Sequence, residues 1–176
     1  MFEKGLIQIY TGEGKGKTTA SVGQGVRACG RGLKVYMVQF LKSSDTGEMN
    51  ILKDIDGFQV FRFQSERGFF WTLSEEEIKE VKKETDMALE FIEKTISEKA
   101  CDVLILDEIM GAISNGLVQI ANLLRILEQK PYEMEIIMTG RNVPKEIVEI
   151  ADLVTEMKKI KHPFDKGIGA RKGIEY

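Results

Sequence analysis

Cysteine, proline and histidine are all scarce here: two, three and one in 176 residues. Cys29 and Cys101 sit in apolar surroundings and belong to no metal-type cluster, so two buried thiols in a reducing cytosol are expected. No apolar run approaches the ~18 residues of a membrane span. The first residues, Met1 to Lys4, lack the charged start, apolar stretch and cleavage site of a secretory signal, which again points to the cytoplasm. Charge of one sign is missing too. Twenty-five basic residues against 28 acidic leave a net charge of −3, whereas a nucleic-acid binder relying on counterion release would be basic. Internal repeats, low-complexity segments and interdomain linkers are absent.

What remains is ordinary globular composition, 43% hydrophobic and 30% charged, which argues against disorder. At about 150 residues per domain, residues 1–176 form one domain. A chain of this size buries roughly 70% of its unfolded surface.

Short apolar runs alternate with longer helical ones. Leu6–Tyr10 predicts a strand and Lys17 to about Gly30 a helix. Val35–Phe40 and Phe58–Phe63 predict two further strands. Ser74 and Glu77 form a capping box, behind which Ile78, Val81, Ala88, Leu89, Ile92 and Ile96 recur at helical spacing. Val103–Leu106 is continuously apolar, as suits a parallel strand covered on both faces. A helix from Leu117 to about Gln129, a strand at Glu135–Met138 and a last strand at Ala151–Met157 follow. Asn142 is expected to cap a helix with Pro144 in its first turn. Residues from about 158 to 176 read as a polar tail. The alternation predicts an α/β fold: a parallel sheet with helices on both faces.

The strongest signal stands between the first strand and the first helix: Thr11-Gly12-Glu13-Gly14-Lys15-Gly16-Lys17-Thr18-Thr19. Gly16-Lys17-Thr18 fits the end of the phosphate-loop pattern G-x-x-x-x-G-K-[ST], although Thr11 replaces its first glycine. Gly12, Gly14 and Gly16 let the backbone curl and aim N–H groups inward. The following helix adds its positive N-terminal end. Lys17 can bridge phosphate oxygens, and the Thr18 hydroxyl can ligate Mg²⁺. The architecture is therefore that of a P-loop NTPase, RecA-like.

Val103–Leu106 ends in Asp107-Glu108, two carboxylates at the edge where open α/β sheets bind ligands. An acid there can hold Mg²⁺ or its water; alone, the pair would equally well begin a solvated loop. Thr139-Gly140-Arg141 reaches the same edge, where Arg141 is either a phosphate neutraliser or a surface arginine. ATP-type substrate and Mg²⁺ follow from these residues. The reaction does not.

The loop T-G-E-G-K-G-K-T-T-A resembles that of the P-loop ATP:corrinoid adenosyltransferases, and four further blocks agree in order. They are Val38-Gln39-Phe40-Leu41-Lys42, Gly68-Phe69-Phe70-Trp71, Leu106-Asp107-Glu108, and the stretch from Thr139 through Ala151–Met157 to Lys161–Gly167. Together the match runs from about Lys4 to Tyr176. The resemblance implies that a reduced corrinoid, Co(I), attacks the 5′-carbon of ATP and inorganic triphosphate leaves. It implies catalytic roles for Lys17 and Arg141, an ATP cradle of Gly12, Glu13, Gly14, Lys15, Gly16, Lys17, Thr18 and Thr19, and Mg²⁺ contacts from Thr18, Glu108 and Asp107. It further implies a homodimer and an electron-donor protein. Many members carry an extension ahead of the first strand that is not found here, so closure over the corrinoid would fall to another loop or a partner subunit.

Three positions stay open at this point. From the residues alone, the aromatics of Gly68–Trp71 would plug the core under the long helix; the resemblance instead turns Phe69 and Trp71 toward the corrin. Phe70 stands where the family has a small polar residue. The lysine-rich tail reads as solvated, while the resemblance packs part of it by the nucleotide, with His162 structural. Two other functions compete: a P-loop ATPase or kinase acting at the γ-phosphate, and a nucleotide-dependent corrinoid binder without turnover.

Overall fold

The structure is a computed structural model and describes residues 3–42, 46–65, 67–68 and 70–176. Among these, six strands form one sheet: β1 (Ile7–Thr11), β2 (Val35–Gln39), β3 (Phe58–Arg62), β4 (Val103–Asp107), β5 (Glu135–Thr139) and β6 (Leu153–Glu156). Their spatial order is β3-β2-β4-β5-β1-β6, and every pair is parallel. Parallel strands need crossovers, and helices supply them.

Period-two alternation within β4 sorts the core. Val103 and Ile105 pack on one face with Val35, Met37 and Phe58, while Leu104 and Leu106 pack on the other with Val38, Ile136 and Met138. The first face is covered by α1 (Lys17–Cys29) and α2 (Gly47–Leu52), through Ala28 and Leu52. The second is covered by α3 (Glu75–Ser97), α4 (Ile109–Ser114), α5 (Ile120–Leu127) and α6 (Lys145–Ile150). Both faces are closed by helices, as the alternation predicted.

The capping box of α3 is formed in full: the Glu77 N–H donates to Ser74 Oγ at 3.3 Å, and the Ser74 N–H donates to Glu77 Oε2 at 2.8 Å. The cap of α6 differs from expectation. Pro144, with ψ near 145°, is itself the boundary residue, and Asn142 takes φ 54° in the preceding turn. Asn tolerates that left-handed turn better than most residues, so it serves the turn and not the cap. No helix among the described residues is long and apolar enough to cross a membrane.

Candidate active site

Parallel strands bring their C-terminal ends to one edge, and all six end in polar residues, four of them at the centre of the site. β1 runs into the phosphate loop, β2 ends in Gln39, β4 in Asp107 and β5 in Thr139. Register places Gln39 beside Asp107. A cavity of about 590 Å³ opens over this edge, walled by Lys17, Thr18, Lys42, Glu108 and Arg141.

The loop is held open by close backbone contacts that only glycine permits. Gly12 (φ 102°) and Gly14 lie against the chain after β6, where an added Cβ would stand 2.6 Å and 2.5 Å from the Met157 carbonyl oxygen. The Gly14 N–H donates to that same oxygen at 2.6 Å. Gly16, at φ 116°, turns the chain into α1 and needs the left-handed freedom of glycine. The buried Lys17 ammonium donates to the Gly12 and Gly14 carbonyls at 2.7 and 2.9 Å. Burial pushes its pKa down, and the nearby Arg141 charge adds to that push. Phosphate oxygens would relieve both effects.

Asp107 is wholly buried, and its two oxygens take four donors. Thr18 Oγ1 and Thr139 Oγ1 donate to Oδ1 at 2.8 and 2.7 Å. Lys42 Nζ and Gln39 Nε2 donate to Oδ2 at 2.8 and 3.2 Å. Arg62 Nε in turn holds the Gln39 oxygen at 2.7 Å, fixing which way that amide faces. Glu108 follows at φ 60°, and its N–H donates to Thr139 Oγ1 at 2.9 Å. Burial pushes the Glu108 pKa up, reinforced by the charge of Asp107. Thr18, Asp107 and Glu108 are thus the oxygen donors able to hold a hard cation such as Mg²⁺ together with ligand oxygens. Among the described residues there is no cluster of three His, Cys, Asp or Glu side chains for a metal.

The remaining sequence candidates divide. Thr19 lines the cavity; Glu13 and Arg141 do so as an exposed pair 2.8 Å apart. Lys15 is bound by the chain's end, donating to the Ile174 carbonyl at 2.9 Å and to Glu175 at 2.8 Å. His162 also lines the cavity, and its Nδ1 caps the turn Pro163–Lys166 by accepting from the Phe164 N–H at 3.2 Å. The tail is exposed along residues 158–176 apart from the half-buried His162, as a solvated segment would be, while residues 173–176 line one side of the cavity.

A second cavity of about 330 Å³ is lined by Leu41, Arg67, Phe70, Trp71, Leu73 and Val81, among others. Trp71 is 79% exposed, so it is no core plug; the half-buried Phe70 packs against the core instead. Phe69 lies outside the described residues. Consecutive residues line the two cavities, Leu41 the second and Lys42 the first. α4 connects the same two linings, with Glu108 before it and Asn115 after it.

Sequence reasoning missed Gln39, Lys42 and Thr139 as members of the acidic corner. The available signal was a polar residue closing an apolar strand at the ligand-binding edge. It also missed Glu175, for which a contact 160 residues away leaves no local signal.

Comparison with known proteins agrees with this geometry. The flagellar accessory protein FlaH from Methanocaldococcus jannaschii superposes with a TM-score of 0.56 at 16% identity, over 88% of this chain and 72% of that one, a likeness of fold alone. The corrinoid adenosyltransferase of a Sinorhizobium species is 36% identical over 99% of this chain and 81% of its own length. That of Escherichia coli K12, and the corrinoid adenosyltransferase CobA of Salmonella typhimurium, are each 34% identical over 99% of this chain and 87% of theirs. With the family description "ATP:corrinoid adenosyltransferase BtuR/CobO/CobP" matching residues 3–176, the chain belongs to the ATP:corrinoid adenosyltransferase family.

Proposed function

We propose that this protein transfers the 5′-deoxyadenosyl group of ATP to the cobalt of a reduced corrinoid, with the named phosphate-loop residues gripping triphosphate as the leaving group. The Co(I) lone pair attacks C5′, a cobalt–carbon bond forms, the C5′–O bond breaks, and its electron pair departs on triphosphate. Co(I) is itself a strong nucleophile, so no Ser, Cys or His needs activation. The protein's tasks are aim and charge stabilisation.

The observation that carries this reading is the adjacency of a phosphate cavity and an apolar-walled cavity across Leu41 and Lys42. An ATPase needs only the first, and a kinase needs beside it a site for a hydroxyl acceptor rather than an apolar wall. In the adenosyl-transfer reading the ribose carbon points to the shared boundary, and the corrinoid lies against Phe69 and Trp71. Lys17 leaves the Gly12 and Gly14 carbonyls for phosphate oxygens, and Arg141 leaves Glu13 to do the same. Thr18, with Asp107 and Glu108 behind it, fits Mg²⁺, whose chemistry when bound is to neutralise triphosphate charge. Residues 1–176 work as one domain in this scheme.

A homodimer is part of the proposal, supported by exposed apolar side chains on α6 and the edge strand β6: Val148, Ile150, Leu153 and Val154. So is an electron-donor protein that supplies Co(I). A cytoplasmic setting is also part of the proposal; of the two thiols expected to be buried, Cys101 is, and burial pushes it up to about 12, whereas Cys29 is only half-buried.

Incubated anaerobically with ATP, Mg²⁺ and reduced corrinoid, the protein should produce a light-sensitive adenosylcorrinoid spectrum and one triphosphate per cobalt alkylated. Lys17→Ala should lower the rate by about 100-fold or more, the scale of losing a principal charge stabiliser. Release of ADP with phosphate, or tight binding without a cobalt–carbon bond, would replace this reading by one of its competitors.

A further inference from the structure

We propose that the Lys42 ammonium is a resident counter-ion that holds the metal's place between Thr18 and Asp107, and yields it when Mg²⁺ arrives with the nucleotide. This rests on the proposed function only in requiring the phosphate loop to take Mg²⁺ with a triphosphate. Nothing in it depends on cobalt.

The geometry is specific. Lys42 Nζ stands 2.8 Å from Asp107 Oδ2 and 3.2 Å from Thr18 Oγ1. The Thr18 hydroxyl spends its hydrogen on Asp107 Oδ1 at 2.8 Å, so toward Lys42 it is an acceptor. The ammonium takes one of that oxygen's two lone pairs and bridges Thr18 to Asp107, the position from which a cation held by both residues would have to repel it.

Charge explains why the place is filled. Asp107 has no solvent exposure, and among the described residues Lys42 is the only cation within ion-pair distance of it. A buried carboxylate whose partner is withdrawn is strongly destabilising. Without a metal, the ammonium supplies the needed charge. With a divalent cation at Thr18, it is redundant and repelled. Lysine suits this exchange better than arginine, being a compact point charge on a flexible stem.

The chain goes to some trouble to bring Lys42 there. Beyond the end of β2, the Phe40 N–H donates to the Asp107 carbonyl at 2.9 Å, extending the pairing by one residue. Leu41 then takes φ 56°, a left-handed conformation costly for a residue with a branched side chain. Its side chain is seated against Gly111, where an added Cβ would come within 2.9 Å of Leu41 Cδ1. That turn sends residue 42 back over the sheet edge and separates the two cavities. Once displaced, Lys42 remains on the wall of the cavity that receives the triphosphate and adds its charge to the leaving-group grip.

Thermal unfolding and Mn²⁺ binding of the full chain without nucleotide test the exchange. The wild-type midpoint should not respond to millimolar Mg²⁺ at constant ionic strength. Lys42→Met should melt several degrees lower, and Mg²⁺ alone should recover most of the loss saturably. By electron paramagnetic resonance, nucleotide-free K42M should bind Mn²⁺ at least tenfold more tightly than wild type. Equal Mg²⁺ responses and equal Mn²⁺ affinities in the two proteins would overturn the proposal. If K42M alone does not fold, the double variant K42M/D107N, which leaves no unpaired buried charge, should fold and ignore Mg²⁺. Its failure to fold would likewise overturn the counter-ion role. None of these readouts involves corrinoid, so failed adenosyl transfer with this pattern intact would count against the proposed reaction alone.

Discussion

Thr139 joins the two acids of the site: its hydroxyl donates to Asp107 Oδ1 and accepts the Glu108 N–H. Valine has nearly the same shape and neither bond. Thr139→Val should therefore lower the unfolding free energy by about 2–3 kcal/mol, since a buried carboxylate loses a donor and a backbone N–H loses its acceptor. Urea denaturation at unchanged m-value measures it; a loss below about 0.5 kcal/mol would mean the corner is held by its other bonds. Glu108 itself opposes folding at neutral pH. Its pKa is raised by burial and by Asp107, so its relative stabilisation is present below the ordinary carboxylate range and is lost as pH rises through the higher folded value. Of this corner, Thr18 and the acid pair were legible from the sequence, because loop and strand context assign them chemistry. In the sequence Lys42 stands out only as part of a block that resembles the family. A lysine after an apolar strand ordinarily points to water, and only the left-handed turn at Leu41 brings it back.

Elements differ in how far sequence reveals them. α3 carries a capping box and several turns of regular spacing, so it could be drawn beforehand. α2 and α4 have six residues each, too few for a helical period to repeat. The tail is the instructive case. Its composition is that of a solvated segment, yet Glu175 accepts from Lys15 Nζ at 2.8 Å, from the Arg171 N–H at 2.8 Å and from the Arg171 guanidinium at 3.0 and 3.2 Å. Arg171 first, then Lys15, hold its carboxyl at about 2. A depressed carboxylate stabilises above its ordinary pKa and loses that contribution only as pH falls through the lower folded value. The wild-type tail should thus stay docked from about pH 7 down to about pH 4, seen as unchanged amide shifts of residues 171–176. Glu175→Gln removes the charge without the acid, and should free the tail at neutral pH. Trypsin would then cut after Arg171 or Lys172 several-fold faster. Equal cleavage rates would show that the Lys15–Glu175 bridge does not hold the tail.

At the scale of the whole molecule, the design is an edge. Six parallel strands converge their C-terminal ends, and β5 stands between the strand of the phosphate loop and the strand of the acid pair. The alternating pattern foretold the parallel sheet and the edge. It contained no information on which strands are neighbours, since that order depends on crossovers packing around a common core. The same edge places Trp71 beyond the phosphate site, 79% exposed on the second cavity. Removing so exposed a side chain should change unfolding stability by no more than about 0.5 kcal/mol, so an activity loss in Trp71→Ala is not an effect of unfolding. Its size should depend on the oxidation state supplied. Under the proposed function, an apolar wall at Trp71 that kept a lower axial ligand away would ease reduction of Co(II), but would add little once Co(I) is already formed. Trp71→Ala should then lose about tenfold or more in rate when Co(II) is reduced on the protein, and clearly less when free Co(I) is provided. Equal losses in both assays would remove any role of Trp71 in easing the reduction of cobalt.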